Sequence, residues 1–151
     1  MQLKEELRKK INEEHRHLRC AEEDLVGHFE DFCASPTTES QKQLAILFAD
    51  FSSSLKSHFE FEEEGGYLAT VIERRPHHGD EVERLRLEHS QILEDLERLH
   101  KDLEVDLPNN AEMLLTLKKD FRDLLTHFGR HEQKERELVM DVFWLEGGFS
   151  S

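Results

Sequence analysis

Glycine and proline are scarce in this sequence, with seven and three among 151 residues. An all-β fold needs turn residues at intervals of about 8–12 positions, so this scarcity excludes it. Long hydrophobic runs are also missing, since no apolar stretch approaches the roughly 18–20 residues of a membrane span. The N-terminal segment lacks the hydrophobic core of a signal peptide. We therefore expect a cytoplasmic protein with no membrane partner.

Positive charge and cysteine are in short supply as well. Lys and Arg total 20 against 34 Asp and Glu, which gives a formal net charge of −14. Such an acidic surface repels phosphate groups, so we expect no nucleic-acid partner. The two cysteines, Cys20 and Cys33, lie in one predicted helix at a separation of about 20 Å. This distance is too great for a disulfide, and we expect reduced thiols.

Apolar residues recur at steps of three and four along most of the chain, which predicts amphipathic helices. The length suits a single domain over residues 1–151. Short connections between long helices favour antiparallel neighbours, so the expected fold is an all-α, up-down-up-down antiparallel four-helix bundle. The four predicted helices span about Leu3–Phe32, Thr38–Arg74, Asp80–Glu104 and Asn110–Leu145.

Two details of these helices are left open by the sequence. Thr37 or Thr38 is a plausible N-cap for the second helix. Gly65-Gly66 lies inside the same helix, where each glycine costs about 1 kcal/mol relative to alanine. The pair is explained equally well by a kink or opening near a site and by a fraying helix end.

The apolar stripes are interrupted by polar residues, and most of these are histidines. The chain has ten histidines with no tag-like run. The spacing from His15 to His58 nearly repeats from His89 to His131, and the second histidine of each pair is followed four residues later by a glutamate. This pattern indicates an internal duplication with an approximate two-fold axis. The six inward-facing residues are His15, His58, Glu62, His89, His131 and Glu135.

Imidazoles and carboxylates in a small core are costly to desolvate unless a cation compensates them. No Lys or Arg occupies the stripes at these levels, so the sequence predicts a metal site in the bundle core. Two carboxylates with four imidazoles suit a carboxylate-bridged pair of ions, and this ligand set favours Fe, Mn or Zn over Ca or Mg. The alternative is that each histidine is a hydrogen-bonded core residue, which is common for a single histidine and less so for a duplicated set.

Two further residues are candidates for this site. His127 lies one turn before His131, and counting from the helix start puts it nearer the level of His89. It is either an extra terminal ligand or a flanking residue. Glu22 continues the first stripe and is expected to be a half-exposed flank residue rather than a ligand. The remaining histidines are expected at the surface: His17, His28, His77, His78 and His100.

The ordered set of residues resembles the hemerythrin-like HHE cation-binding domain over nearly the whole chain. Typical local strings are Glu14-His15, the segment from His58 to Tyr67, and His131-Glu-Gln-Lys-Glu135. The resemblance implies two iron ions, with Glu62 and Glu135 as bridges and the histidines as terminal ligands. Zn or Mn are possible substitutes.

The sequence departs at two places from the oxygen-carrying hemerythrins. Those proteins have a second histidine one turn from the third-helix ligand, where this chain has Leu85 and Leu93. Their fourth helix ends the motif with His-x4-Asp, whereas here Arg136 stands at that position. Both departures place the chain nearer the HHE-type relatives than the carriers.

Open coordination positions on such ions argue for binding of a small molecule. We expect O₂, NO or peroxide as the ligand, in sensing, storage or delivery, by a monomer or weak homo-oligomer. Inward-facing members of Phe59, Phe61 and Phe128 would keep the pocket dry. One alternative is a peroxide-decomposing enzyme, for which His127 and Tyr67 are the acid–base candidates. Another is an interaction module stabilised by iron or holding adventitious zinc.

Overall fold

The computed structural model describes residues 2–64 and 67–141, and this part of the chain is helical with no strand. Four long helices and one short helix account for most of it, which confirms the all-α prediction and agrees with a helical bundle. Two 3₁₀ turns, Pro76–His78 and Leu107–Asn109, lie in the connections. The helices are α1 (Gln2–Ala34), α2 (Thr38–Glu64), α3 (Tyr67–Arg74), α4 (Gly79–Asp102) and α5 (Ala111–Val139).

The helix ends resolve one of the alternatives left by the sequence. Thr37 Oγ1 accepts a hydrogen bond from the Ser40 backbone N–H at 3.0 Å, and Ser40 Oγ accepts one from the Thr37 backbone N–H at 3.1 Å. Such reciprocal bonds satisfy amide groups that the first turn of a helix leaves without partners. Thr37, rather than Thr38, therefore caps α2. The side chain of Asn110 caps α5 by accepting from the backbone N–H of Met113.

The predicted second helix is divided in the structure, because α2 ends at Glu64 and α3 begins at Tyr67. Gly65-Gly66 lies between them and outside the described residues, so the two explanations of this pair stay open. The end of the predicted fourth helix, including Leu145, also lies outside the described part of the chain.

The core consists of two apolar clusters with a polar layer between them. The larger cluster includes Leu18 of α1, Phe59 of α2, Ile92 of α4 and Phe128 of α5. The smaller cluster consists of Ile11, Leu68, Val71, Val82, Leu85 and Leu138. Along α1, α4 and α5, two or three buried or half-buried polar residues separate the members of the two clusters. The stripe interruptions seen in the sequence are this polar layer.

A buried glutamine joins the start of α2 to the connection between α4 and α5. Gln41 Nε2 donates to the backbone carbonyl of Leu103 at 2.7 Å and to that of Val105 at 2.5 Å, while Oε1 accepts from the Leu107 N–H at 3.3 Å. Because Leu107 itself is fully buried, these bonds fix the connection against the larger apolar cluster.

Two expectations from composition can be compared with the structure. Cys20 is exposed and Cys33 half-buried, and both are free thiols as predicted. Among the helices of the described ranges, none has the combination of length and apolarity needed to cross a membrane.

Candidate metal centre

Four buried side chains from three helices meet in the polar layer. Glu62 of α2, His89 of α4, and His131 and Glu135 of α5 are each at most 3% exposed. One nitrogen or oxygen atom from each lies within 4.8 Å of the others. His89 Nε2 is 3.3 Å from Glu62 Oε1 and 3.3 Å from Glu135 Oε2. This group could hold a metal ion.

A second group shares Glu62 with the first. It consists of His15 of α1 with His58 and Glu62 of α2, again with one ligand atom from each within 4.8 Å of the others. Glu62 Oε2 is 3.5 Å from His58 Nε2, while Oε1 faces His89 as described above. The two oxygens of one carboxylate therefore face two different sets of imidazoles. His15 is half-buried, and its ring centroid lies 5.3 Å from that of His58.

The structure brings together all six residues that interrupt the predicted stripes, but it does not bring His127 to them. His131 lies level with His89, since their ring centroids are 4.7 Å apart. The depth count that matched His127 to His89 is therefore not supported. Instead, His127 lines a surface groove with Asp95, Asp123 and neighbouring residues.

The other candidate residues lie outside both groups. Glu22 is half-buried, in agreement with its expected place on a flank. His17, His28 and His77 are exposed as predicted, whereas His100 is half-buried. His78 departs from its predicted surface role, because its ring lies 2.9 Å from Asp141 and 3.2 Å from Glu81 and its side chain is 14% exposed.

Three glutamates that the sequence reasoning missed contact the outer nitrogens of the buried imidazoles. Nδ1 of His58 lies 3.3 Å from Glu14 Oε2. Nδ1 of His89 lies 3.0 Å from Glu63 Oε2, and Nδ1 of His131 lies 2.7 Å from Glu88 Oε1. We call Glu14, Glu63 and Glu88 the outer carboxylates. Each is adjacent in sequence to an inner residue of its own helix and contacts an imidazole of the next long helix.

The sequence did contain a signal for two of the outer carboxylates. A glutamate precedes the first histidine of both halves, as Glu14-His15 and Glu88-His89. In the structure each of these glutamates contacts the second histidine of its own half, at separations of 44 and 43 residues. The internal duplication therefore extends to the surroundings of the inner residues, and comparing the residue before the first histidine of each half would have found it.

One aromatic residue forms an apolar wall of the site. The Phe59 ring stacks on the His89 ring with a centroid distance of 3.8 Å and an interplanar angle of 8°, and it meets the His131 ring edge-on at 5.7 Å. Phe128 is buried in the larger cluster, and Phe61 is only partly buried against the smaller one. Of the three candidate aromatics, Phe59 is the one in ring contact with the imidazoles.

The electrostatics of the polar layer show how it is stabilised without an ion. Burial alone would lower the pKa of His89, but hydrogen bonds with Glu135 and Glu62 raise it to about 10. Burial and the neighbouring Glu135 raise the pKa of Glu62. Burial acts to raise the pKa of Glu135, yet the imidazoles of His131 and His89 beside it hold the pKa well below its ordinary value. Protons on the imidazoles thus supply positive charge that a metal ion would replace.

Half-buried groups at the edge of the site are also perturbed. Burial, together with repulsion from Glu22 and Glu135, raises the pKa of Glu132 to about 7. Burial lowers the pKa of His15, and the nearby His58 lowers it further. The ionisable groups on the α1 side of the polar layer are therefore less well balanced by opposite charges than those on the side formed by α2, α4 and α5.

The geometry of the inner residues fits metal coordination. Two ligand atoms at about 2.1 Å from a common ion are at most about 4.2 Å apart, and the facing nitrogen–oxygen pairs lie at 3.3–3.5 Å. Nε2 of His131 makes no hydrogen bond of proper geometry to any described residue, although it is completely buried. A buried nitrogen in this state is costly, and an ion would give it a partner.

No family model, curated protein or solved structure matches the chain. The interpretation of the site therefore depends on the residues and their geometry alone.

Proposed function

We propose that the chain is a hemerythrin-like protein that binds two iron ions in the polar layer and uses them to bind O₂ or a related small ligand such as NO or peroxide. The observation that carries the proposal is the position of Glu62, whose two oxygens face two separate sets of imidazoles. A carboxylate in this position is suited to bridge a pair of ions. A site for a single ion would not require the second set.

The order of the two apolar clusters along the helices supports an antiparallel four-helix bundle. In α1 the smaller cluster comes first and the larger second, and α4 has the same order. In α2 and α5 the order is reversed. Phe59 of α2 belongs to the larger cluster, and Leu68, beyond the end of α2, belongs to the smaller one. In α5, Phe128 of the larger cluster comes before Leu138 of the smaller one. Alternating direction is what an up-down-up-down arrangement produces.

Each inner residue has a role in this proposal. His15 and His58 would hold one ion, and His89 and His131 would hold the other. Glu62 would be shared by both ions. Glu135 is a second bridge by the resemblance, and its oxygens lie 3.3 Å from Nε2 of His89 and of His131. The bound ions supply open coordination positions and the ability to exchange electrons.

The surroundings of the ligands are suited to a small, uncharged guest. Phe59 covers the face of His89, and the two apolar clusters exclude water from the polar layer on both sides. The half-buried His15 marks the side on which the layer is nearest to solvent. A small molecule would therefore approach from the α1 side, without moving the buried group on α2, α4 and α5.

Binding is favoured over peroxide decomposition by the position of His127, one of the two acid–base candidates. His127 lines a groove away from the inner residues, and the side chain of Tyr67 lies outside the described part. His127 therefore gives no support to the enzyme alternative. The enzyme alternative would be favoured if the protein turned over peroxide in the steady state and a Glu62→Ala variant did not.

Metal analysis of the protein purified from its native host tests the proposal. We expect about two iron ions per chain and an absorption spectrum that changes reversibly when oxygen is removed and restored. A matched His58→Ala variant should retain fewer ions and a weaker spectral change. Fewer than two ions per chain, both in the purified protein and after anaerobic loading with Fe²⁺, would overturn the proposal.

A further inference from the structure

The outer carboxylates form a regular arrangement around the inner residues. Glu14 on α1 reaches His58 on α2, Glu63 on α2 reaches His89 on α4, and Glu88 on α4 reaches His131 on α5. Every one of these contacts joins two different helices. In each case the carboxylate meets Nδ1, while Nε2 of the same ring faces the inner carboxylates.

The chemistry of imidazole gives this arrangement a consequence. A neutral imidazole has one N–H and one nitrogen with a free lone pair, and only the latter can bind a metal ion. A carboxylate is an acceptor, so it fixes the hydrogen on the nitrogen that it contacts. With Nδ1–H donating outward, the lone pair on Nε2 points to the polar layer. Partners of this kind also make the imidazole a stronger ligand.

We propose that Glu14, Glu63 and Glu88 are positioning residues of the metal centre, each accepting a hydrogen bond from Nδ1–H of one imidazole and thereby presenting its Nε2 lone pair to an ion. This inference rests on the proposed function, since it assigns residues to the same two-ion site. The inference goes beyond the proposed function because it makes the affinity of the site for each ion depend on residues that do not touch the ions.

Charge considerations support a role for the outer carboxylates with ions bound. The outer carboxylates, together with Glu62 and Glu135, place five carboxylates around the polar layer. Their negative charge is more than one divalent ion balances. Lys134 Nζ lies 2.8 Å from Glu88 Oε2, and Arg86 Nε lies 3.8 Å from Glu63 Oε1. These cations hold two of the outer carboxylates in place beside the imidazoles that they contact.

His15 provides a contrast within the site. The duplication relates Glu63 of the first half to Arg136 of the second. The duplication would place a carboxylate for the fourth imidazole, His15, at position 136. This chain has the cation Arg136 there instead. We expect His15 to be the least firmly oriented ligand, and the ion that it binds to exchange more readily than the other.

Zinc binding to a Glu88→Ala variant tests the proposal, because zinc is diamagnetic and allows NMR of the histidine rings. Competition with a chromogenic chelator should show zinc affinity at the His131 position lowered about 10–100-fold. The Nδ1–H resonance of His131 should shift or exchange with water, while those of His58 and His89 stay unchanged. Glu97→Ala, at an exposed position of α4, is the matched control and should behave as the wild type.

A second variant separates positioning from charge. In Glu88→Gln the amide oxygen can still accept from Nδ1–H, so we expect affinity within about threefold of the wild type and a retained His131 Nδ1–H resonance. Equal losses of zinc affinity in Glu88→Gln and Glu88→Ala would overturn the positioning role and show that the charge of Glu88 alone matters. Glu14→Ala, at a side chain that is 38% exposed, repeats the test at His58 if Glu88→Ala fails to fold.

The test distinguishes failure of this inference from failure of the proposed function. A wild-type chain that binds fewer than two zinc ions would contradict the two-ion site itself. A wild-type chain that binds two, with unchanged affinity and an unchanged His131 resonance in Glu88→Ala, would overturn the positioning role and leave the two-ion site standing.

Discussion

At the scale of single residues, Glu62 is the side chain on which both proposed ion positions depend. Its oxygens lie 3.3 Å from Nε2 of His89 and 3.5 Å from Nε2 of His58. We expect Glu62→Gln to weaken binding at both positions, so that zinc stoichiometry measured by mass spectrometry under native conditions falls from two ions to fewer than one. His127→Gln is the control and should retain two. Full occupancy in Glu62→Gln would contradict a bridging role.

The buried imidazoles predict an unusual pH dependence for the metal-free protein. The pKa of His89 rises from 6.5 in the unfolded chain to about 10 in the folded one. A raised pKa gives stability that is present in full below pH 6.5 and is lost as pH rises through 10. One proton gives a slope of at most about 1.4 kcal/mol per pH unit. Urea unfolding with a chelator present, at several values between pH 6.5 and 10, should show this decline.

Metal binding should have the opposite dependence, because ions compete with protons for the same nitrogens. Zinc affinity is therefore expected to rise over the pH range in which the metal-free protein loses stability. A His89→Gln variant should show a flatter decline in its metal-free form. An unchanged slope in this variant would mean that other groups cause the effect.

The sequence was informative about single residues where their types were unusual. Four histidines and two glutamates were predicted to face inward because they interrupt apolar stripes, and the structure places all six together. The outer carboxylates were missed because glutamate is abundant in this acidic chain, so one more glutamate beside a histidine does not stand out. The role of His127 was left open by the sequence, because counting residues from a helix start carries an error of about one turn.

At the scale of helices, Gln41 is the polar residue that holds the α4–α5 connection to α2. Gln41→Ala would leave buried backbone groups of this connection without their partner, at a cost of about 2–3 kcal/mol. We expect the thermal midpoint to fall by about 5–10 °C, given about 2–4 °C per kcal/mol for a domain of this size. Gln43→Ala, exposed on the same helix, should change it little. Equal midpoints would show that water replaces the Gln41 contacts.

Helices were predicted well because the signals for them are local. Apolar spacing and the scarcity of glycine and proline gave the four long segments, and the start of α2 lies at the predicted Thr38. The pairing of helices was expected from the short connections. The tertiary contacts of Gln41 and of Glu63 could not be predicted, because they join residues more than 25 positions apart and depend on the register between helices.

At the scale of the whole molecule, the protein is a stack of two apolar clusters separated by a layer of charge. Such a layer contributes little to stability by itself, because desolvation offsets most of the attraction between buried ions. Ions bound there stabilise the native state by mass action, since the unfolded chain has no preformed site. Metal content should therefore have a larger effect on stability than any single core contact.

Removal of metal tests this view of the molecule. At a free ion concentration of about 1,000 times the dissociation constant, a bound ion adds about 4 kcal/mol to the free energy of unfolding. For a domain of this size this corresponds to about 8–16 °C in the thermal midpoint. We expect calorimetry to show a loss of this order when a chelator is added at neutral pH. His131→Ala should start from a lower midpoint and respond less to the chelator. Equal midpoints with and without chelator would mean that bound ions do not stabilise the fold, and would weaken the interpretation of the protein as a metal-stabilised interaction module.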